Sequence, residues 1–164
     1  MGARQVIGVD NKPARVEAGL KFGATQTVND ADENALHAVE SLTAGNLADV
    51  VIEAAGEVDS INLMPHLVKV GGHLLFFGVP RAYEFQFDFW TLFRKYCHTT
   101  SSGGTSLEPG AKSFRMAIDL VAGGEIEVSP MITHRFPFER VQEAYELART
   151  REDGAIKILI EMPR

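Results

Sequence analysis

Cysteine is almost absent: the 164 residues hold one, Cys97. A single thiol excludes an intrachain disulfide and any site built from several cysteines, such as a zinc ribbon. Long apolar runs are absent as well. No window approaches the roughly 18–20 uncharged apolar residues of a membrane span. The opening Met1-Gly2-Ala3-Arg4 leads straight into an apolar run that ends in Asp10, without the pattern of a secretory signal. Basic clusters are missing too. Sixteen Lys and Arg against 22 Asp and Glu give a net charge of −6, spread along the chain, which argues against a phosphate-backbone-binding surface. No repeat and no low-complexity tract is visible. With 45% hydrophobic and 23% charged residues, the composition is that of a folded domain rather than a disordered one. The expectation at this point is a reduced, cytoplasmic domain that binds neither nucleic acid nor membrane.

Short β-branched runs alternate with helical segments over the first 80 residues. Strands are expected at Gln5–Val9, Gln26–Val28, Ala48–Ala54 and His73–Phe77. Helices are expected between them. Lys12–Phe22 has Pro13 in its first turn and Gly23 at its end. Asp32–Thr43 turns Ala35, Val39 and Leu42 inward. Val58–Val70 buries Ile61, Met64, Leu67 and Val68, with Pro65 kinking or shortening it. Unbroken apolar strands separated by helices fit a parallel sheet covered on both faces, and right-handed crossovers make it doubly wound. Further on, a short helix is expected at Phe89–Tyr96 and a strand at Cys97–Ser101. Lys112–Val121 is an amphipathic helix with Phe114, Ala117, Ile118 and Val121 on one face. A strand at Met131–Phe136, a helix opened by Pro137 and a closing strand at Ala155–Glu161 complete the chain. A domain boundary is expected near Gly103-Gly104.

Several residues could carry chemistry. Asp10 ends the first strand of a strand–helix unit, where an acid accepts hydrogen bonds from a ribose diol; it could equally cap the next helix. Gly56, Gly78 and Gly103-Gly104 each follow a strand, the edge at which an open α/β sheet binds its ligand, although glycine also serves simple turns. Glu53 lies inside a buried strand and is either a paired structural acid or a site residue. The histidines at 37, 66, 73, 98 and 134 show no metal-binding spacing and suit surface or packing roles. Cys97 suits a core position. No Gly-x-Ser-x-Gly elbow and no phosphate-loop lysine is present.

Four stretches together resemble the zinc-dependent medium-chain dehydrogenase/reductase family, which includes alcohol, sorbitol and threonine dehydrogenases. They are VIGVDNKPARVEAGLKFGATQTVN (6–29), ADVVIEAAG (48–56), VGGHLLFFGVP (70–80), and THRFPFERVQEAYE (133–146) with GAIKILIE (154–161). They keep the family's order over nearly the whole chain. The resemblance implies an α/β fold: a partial Rossmann doubly wound parallel sheet lacking its first strand and glycine-rich loop, plus a C-terminal α+β segment of the catalytic domain. Residues 1–103 would form the truncated dinucleotide-binding domain and 104–164 the C-terminal part of the catalytic domain.

The same resemblance implies NAD as cofactor and hydride transfer with a small-molecule alcohol or polyol. Asp10 matches the ribose-binding acid and Arg15 the basic residue beside the adenosine. Ala54 and Ala55 match the strand end flanking the adenosine side. Phe77, Gly78 and Val79 match the segment along the nicotinamide half. Thr100, Ser101 and Ser102 match the strand end facing the carboxamide, and Lys157 a basic residue directed at the pyrophosphate. The family's zinc ligands have no counterpart here, so no catalytic or metal residue is assigned. Family members run to about twice this length, and Met1 falls where the family joins its first helix to its second strand. The expected consequence is a portion inactive in isolation, with the strands at 5–9 and 48–54 either pairing directly across the missing strand or leaving a marginal, aggregation-prone sheet. The alternative is a non-catalytic Rossmann-like binding or assembly module, forming a homo-oligomer through the edge strand at 97–101. A methyltransferase would also place an acid at the second strand end, but has no place for residues 133–161.

Overall fold

A computed structural model describes residues 2–102, 104 and 108–163. The chain divides into two compact units, residues 1–33 with 114–164, and residues 34–113. All strand pairings are parallel, in three separate sheets.

The first unit opens with β1 (Ile7–Asp10), α1 (Pro13–Lys21) and β2 (Gln26–Asn29). Parallel neighbours need a crossover, and α1 supplies it. β1 and β2 then pair in register from Ile7↔Gln26 to Asp10↔Asn29. Pro13 occupies the first helical turn, where its missing N–H is no loss. Besides most of the helix Lys112–Ala122, this unit holds β6 (Ile132–Pro137), α6 (Val141–Thr150) and β7 (Lys157–Glu161). β6 and β7 form a second parallel pair around α6, whose Ala144 is buried. Tyr145, its neighbour on α6, is exposed.

The second unit holds α2 (Ala35–Leu42), β3 (Ala48–Glu53), α3 (Val58–Leu67), β4 (Val68–Phe76), α4 (Phe89–Arg94) and β5 (His98–Ser101). Its sheet runs β3-β4-β5. Asn34 caps α2 by accepting the His37 amide at 3.1 Å, so the helix begins three residues later than the sequence suggests. Pro65 acts as a terminator: α3 stops two residues beyond it and β4 starts at once. Ile61, Met64, Leu67 and Val68 are buried as expected. Met64, Val68 and Leu74 make the core cluster, with Val51, Phe76, Leu92 and Cys97 packed against it. Each such side chain contributes about 1.5–3 kcal/mol when fully buried.

Three expectations need correction. β3 is not buried on both faces: Val50 and Ile52, two residues apart and so on one side, are 54% and 59% exposed. Leu42 is also exposed, while Ala35 and Val39 are buried. α5 (Lys112–Ala122) forms, but Phe114, Ile118 and Val121 stay largely exposed. Periodicity identifies a face and says nothing of what covers it. β1 and β3 belong to different sheets, so the direct pairing allowed for above does not occur. Gly103, half of the expected boundary, lies outside the described residues.

Candidate functional site

In the second unit three strand ends meet at one edge. Glu53 closes β3 and is followed by Ala54, Ala55 and Gly56. Phe76 closes β4 and is followed by Phe77, Gly78 and Val79. The ladders align Glu53 with Phe76 and Phe76 with Ser101. The Ser102 amide then donates to the Phe76 carbonyl at 2.9 Å. Eight of the eleven assigned cofactor residues therefore share this edge: Ala54, Ala55, Phe77, Gly78, Val79, Thr100, Ser101 and Ser102. Phe77 and Val79 are 56% and 85% exposed.

Glu53 holds the ledge together. Its Oε1 accepts the Ala55 and Gly56 amides, each at 2.8 Å, and the Ser60 hydroxyl at 2.7 Å. Its main-chain carbonyl accepts the Phe77 amide at 2.9 Å and the Gly78 amide at 2.8 Å. Two glycines let the turns close. Gly56 has φ +72°, and a Cβ there would collide with the Val79 carbonyl. A Cβ on Gly78 would come within 2.5 Å of both Glu53 Oε2 and the Gly56 nitrogen. The Gly56 carbonyl also accepts the Arg81 amide at 3.0 Å, and Arg81 Nε pairs with Glu57 at 2.9 Å. Glu53 and Ser60 were not assigned from the sequence. The signal was an acid inside an apolar strand with a serine seven residues on, in the first turn of the next helix.

The other three residues lie in the first unit. Asp10 ends β1, and its Oδ1 accepts the Lys12 amide at 2.9 Å. Arg15 Nη2 donates to the Ala155 carbonyl at 3.2 Å, while its buried Nε has no partner. Lys157 opens β7, two residues beyond that carbonyl. A shallow cavity of about 330 Å³ lies here, lined by Lys12, Arg15, Arg151, Asp153 and Ala155 among others.

The histidines keep to packing and pairing roles. His73 and His98 stack with ring centroids 4.8 Å apart, His66 pairs with Asp88 at 3.2 Å, and His134 pairs with Asp153 at 3.3 Å. Asp88 caps α4, and the Thr91 hydroxyl and amide hold its carboxyl below the usual range, with a smaller pull from His66. Burial pushes the Cys97 thiol up, against the opposing effect of Lys95. Burial also pushes the Lys95 amine down, while its Nζ donates to the carbonyls of His66 and Val68 at 3.1 and 2.6 Å. Among the described residues no group of three or more His, Cys, Asp or Glu could hold a metal ion. Among them, too, no helix is long and apolar enough to cross a membrane.

Comparison with known proteins places this geometry. A family model described as zinc-binding dehydrogenase matches residues 1–123. Sorbitol dehydrogenase 1 of Saccharomyces cerevisiae is 31% identical over 173 aligned positions, covering 99% of this chain and 46% of that protein. Alcohol dehydrogenase TADH from Thermus sp. ATN1 superposes with a TM-score of 0.84 at 26% identity, over 99% of this chain and 46% of that one. A zinc-binding dehydrogenase from Sinorhizobium meliloti 1021, solved bound to NADP, gives 0.78 at 26% identity, over 97% and 45%. The chain spans less than half the length of the curated relatives it matches.

Proposed function

Because this chain belongs to the zinc-binding dehydrogenase family, we propose that it is the cofactor-binding portion of an NAD-dependent alcohol or polyol dehydrogenase. The observation that carries the reading is the ledge at Ala54–Gly56 and Phe77–Val79, where space requires both glycines and Phe77 and Val79 stand exposed. Residues 1–103 form the dinucleotide-binding part, and 104–164 belong to the catalytic domain. Asp10 binds the adenosine ribose through its carboxylate, and its charge selects against an added ribose phosphate. Arg15 flanks the adenosine and Lys157 serves the pyrophosphate. The ledge and Thr100–Ser102 orient the nicotinamide, which supplies the hydride-accepting carbon when bound. In the complete enzyme, zinc would polarise the substrate oxygen from ligands outside this chain.

The chain alone therefore binds dinucleotide weakly and turns over no alcohol. NADH fluorescence titration tests the first statement and absorbance at the NADH band, with alcohol and NAD, the second. Saturable NADH binding that weakens in Asp10→Asn and Arg15→Ala supports the reading; turnover by the chain, or no binding at any accessible concentration, overturns it.

One observation favours a second reading, an assembly module. All four residues of β5 are exposed and, among the described residues, the strand has a single neighbour, β4. An open edge of this kind pairs readily with another strand. Sedimentation of the chain as a dimer that is lost on Thr99→Pro, together with unchanged NADH fluorescence, would favour assembly over cofactor binding.

A further inference from the structure

Glu53 is 4% exposed, the buried charged side chain of the described residues. Its Oε1 satisfies three donors, but Oε2 is buried and has no hydrogen-bond partner. No ion pair neutralises the carboxylate among the described residues. Holding the turn does not require this. A glutamine would accept the same three donors through its amide oxygen, without placing a charge in a buried position. The position of the spare oxygen is informative. It lies directly behind Gly78, at the place a Cβ would crowd, in the middle of the Phe77–Val79 segment.

We propose that Glu53 is a specificity-determining residue for the redox state of the cofactor. Its buried negative charge favours the cationic, oxidised nicotinamide over the neutral, reduced one. The inference rests on the cofactor reading above, in which Phe77–Val79 borders the nicotinamide half. The ring carries a positive charge when oxidised and loses it on accepting a hydride. A fixed charge behind the ledge acts on the first form and not on the second. A fixed charge acts on an opposite charge over more than contact distance. The adenosine half is common to both forms, so the effect appears only in their ratio.

The test measures dissociation constants of the 164-residue chain for NADH, by its fluorescence, and for NAD, by displacement of NADH. Glu53→Gln keeps the acceptor oxygen and removes the charge. It is expected to lower the NAD-to-NADH affinity ratio by about fivefold. Glu53→Asp against Glu53→Asn repeats the comparison at a shorter side chain, so the charge effect remains measurable if the glutamine variant fails to fold. Ser60→Ala removes one donor and leaves the charge, and should keep the ratio within about twofold. A ratio that falls in the neutral member of either pair supports the proposal. Equal changes for both ligands, or no change, overturn it and leave the cofactor reading standing. Failure of the wild-type chain to bind either form overturns the cofactor reading itself, and the proposal with it.

Discussion

Gly56 and Val79 interlock: the αL backbone of Gly56 (φ +72°) sits against the Val79 carbonyl so closely that no β-carbon fits. The turns after β3 and β4 thus have one joint shape. Gly56→Ala combines left-handed strain with a main-chain clash and should cost about 2–4 kcal/mol, read as a lower urea midpoint with unchanged slope. Phe77→Ala, at an exposed neighbour, should change the midpoint by less than about 0.5 kcal/mol.

Arg15 bonds to the Ala155 carbonyl across 140 residues. Arg15→Met keeps much of the stem and removes the donors. The expected outcome is faster amide exchange in the turn Arg151–Ala155, measured by mass spectrometry, with β3–β4–β5 unchanged. Global stability should fall by no more than about 1–2 kcal/mol, the range for a charge-assisted hydrogen bond that is partly solvated.

Cys97 should react sluggishly with a disulfide reagent at neutral pH, because burial raises its thiol and the thiolate is the nucleophile. Lys95 opposes that rise, so Lys95→Met should slow the reaction further. Lys95 itself has a lowered amine. The sign follows from proton counting: between its folded value and the ordinary lysine value, the unfolded chain binds more protons, so this residue's contribution to stability increases as pH rises through that window. Chemical denaturation at a series of alkaline pH values, wild type against Lys95→Met, isolates the effect.

Asp88 gives a dependence of the same sign, in the acid range. Its carboxyl is lowered by Thr91 first and by His66 to a smaller extent. A carboxylate lowered on folding contributes stability above its unfolded value, and that contribution is lost as pH falls through the folded value. Thr91→Val should move the Asp88 titration, followed by carboxyl NMR, back toward the ordinary aspartate range. It should also blunt the acid-side loss of α4.

Much of this was legible from sequence because it is local. Pro13, Val28 and the β1–α1–β2 rhythm follow from turn chemistry and periodicity alone, and Asp10 falls at its strand end as the spacing required. Pro65 announced the end of α3, but not that β4 would begin at the next turn, since the β-branched Val68 and Val70 suit either state. The exposure of Val50 and Ile52 was not legible: two-sided hydrophobicity records what a strand is built to meet, and only the fold shows what it meets. Glu53 was visible as an acid in an apolar run. Its three donors, and the oxygen left over, come from Ala55, Gly56 and Ser60 folding back on it, a relation no periodicity encodes.

The two units differ in how the chain is threaded through them. One is a continuous run, residues 34–113; the other joins residues 1–33 to 114–164. During synthesis the continuous unit is complete while the other still waits for its second half. Contacts of high sequence separation, such as Arg15 to Ala155, form late because loop closure must precede them. Assembly during synthesis is therefore expected to have a direction, with the β3–β4–β5 ledge formed before the turn that Arg15 fastens, and a chain truncated near residue 120 should already resist protease from 34 onward.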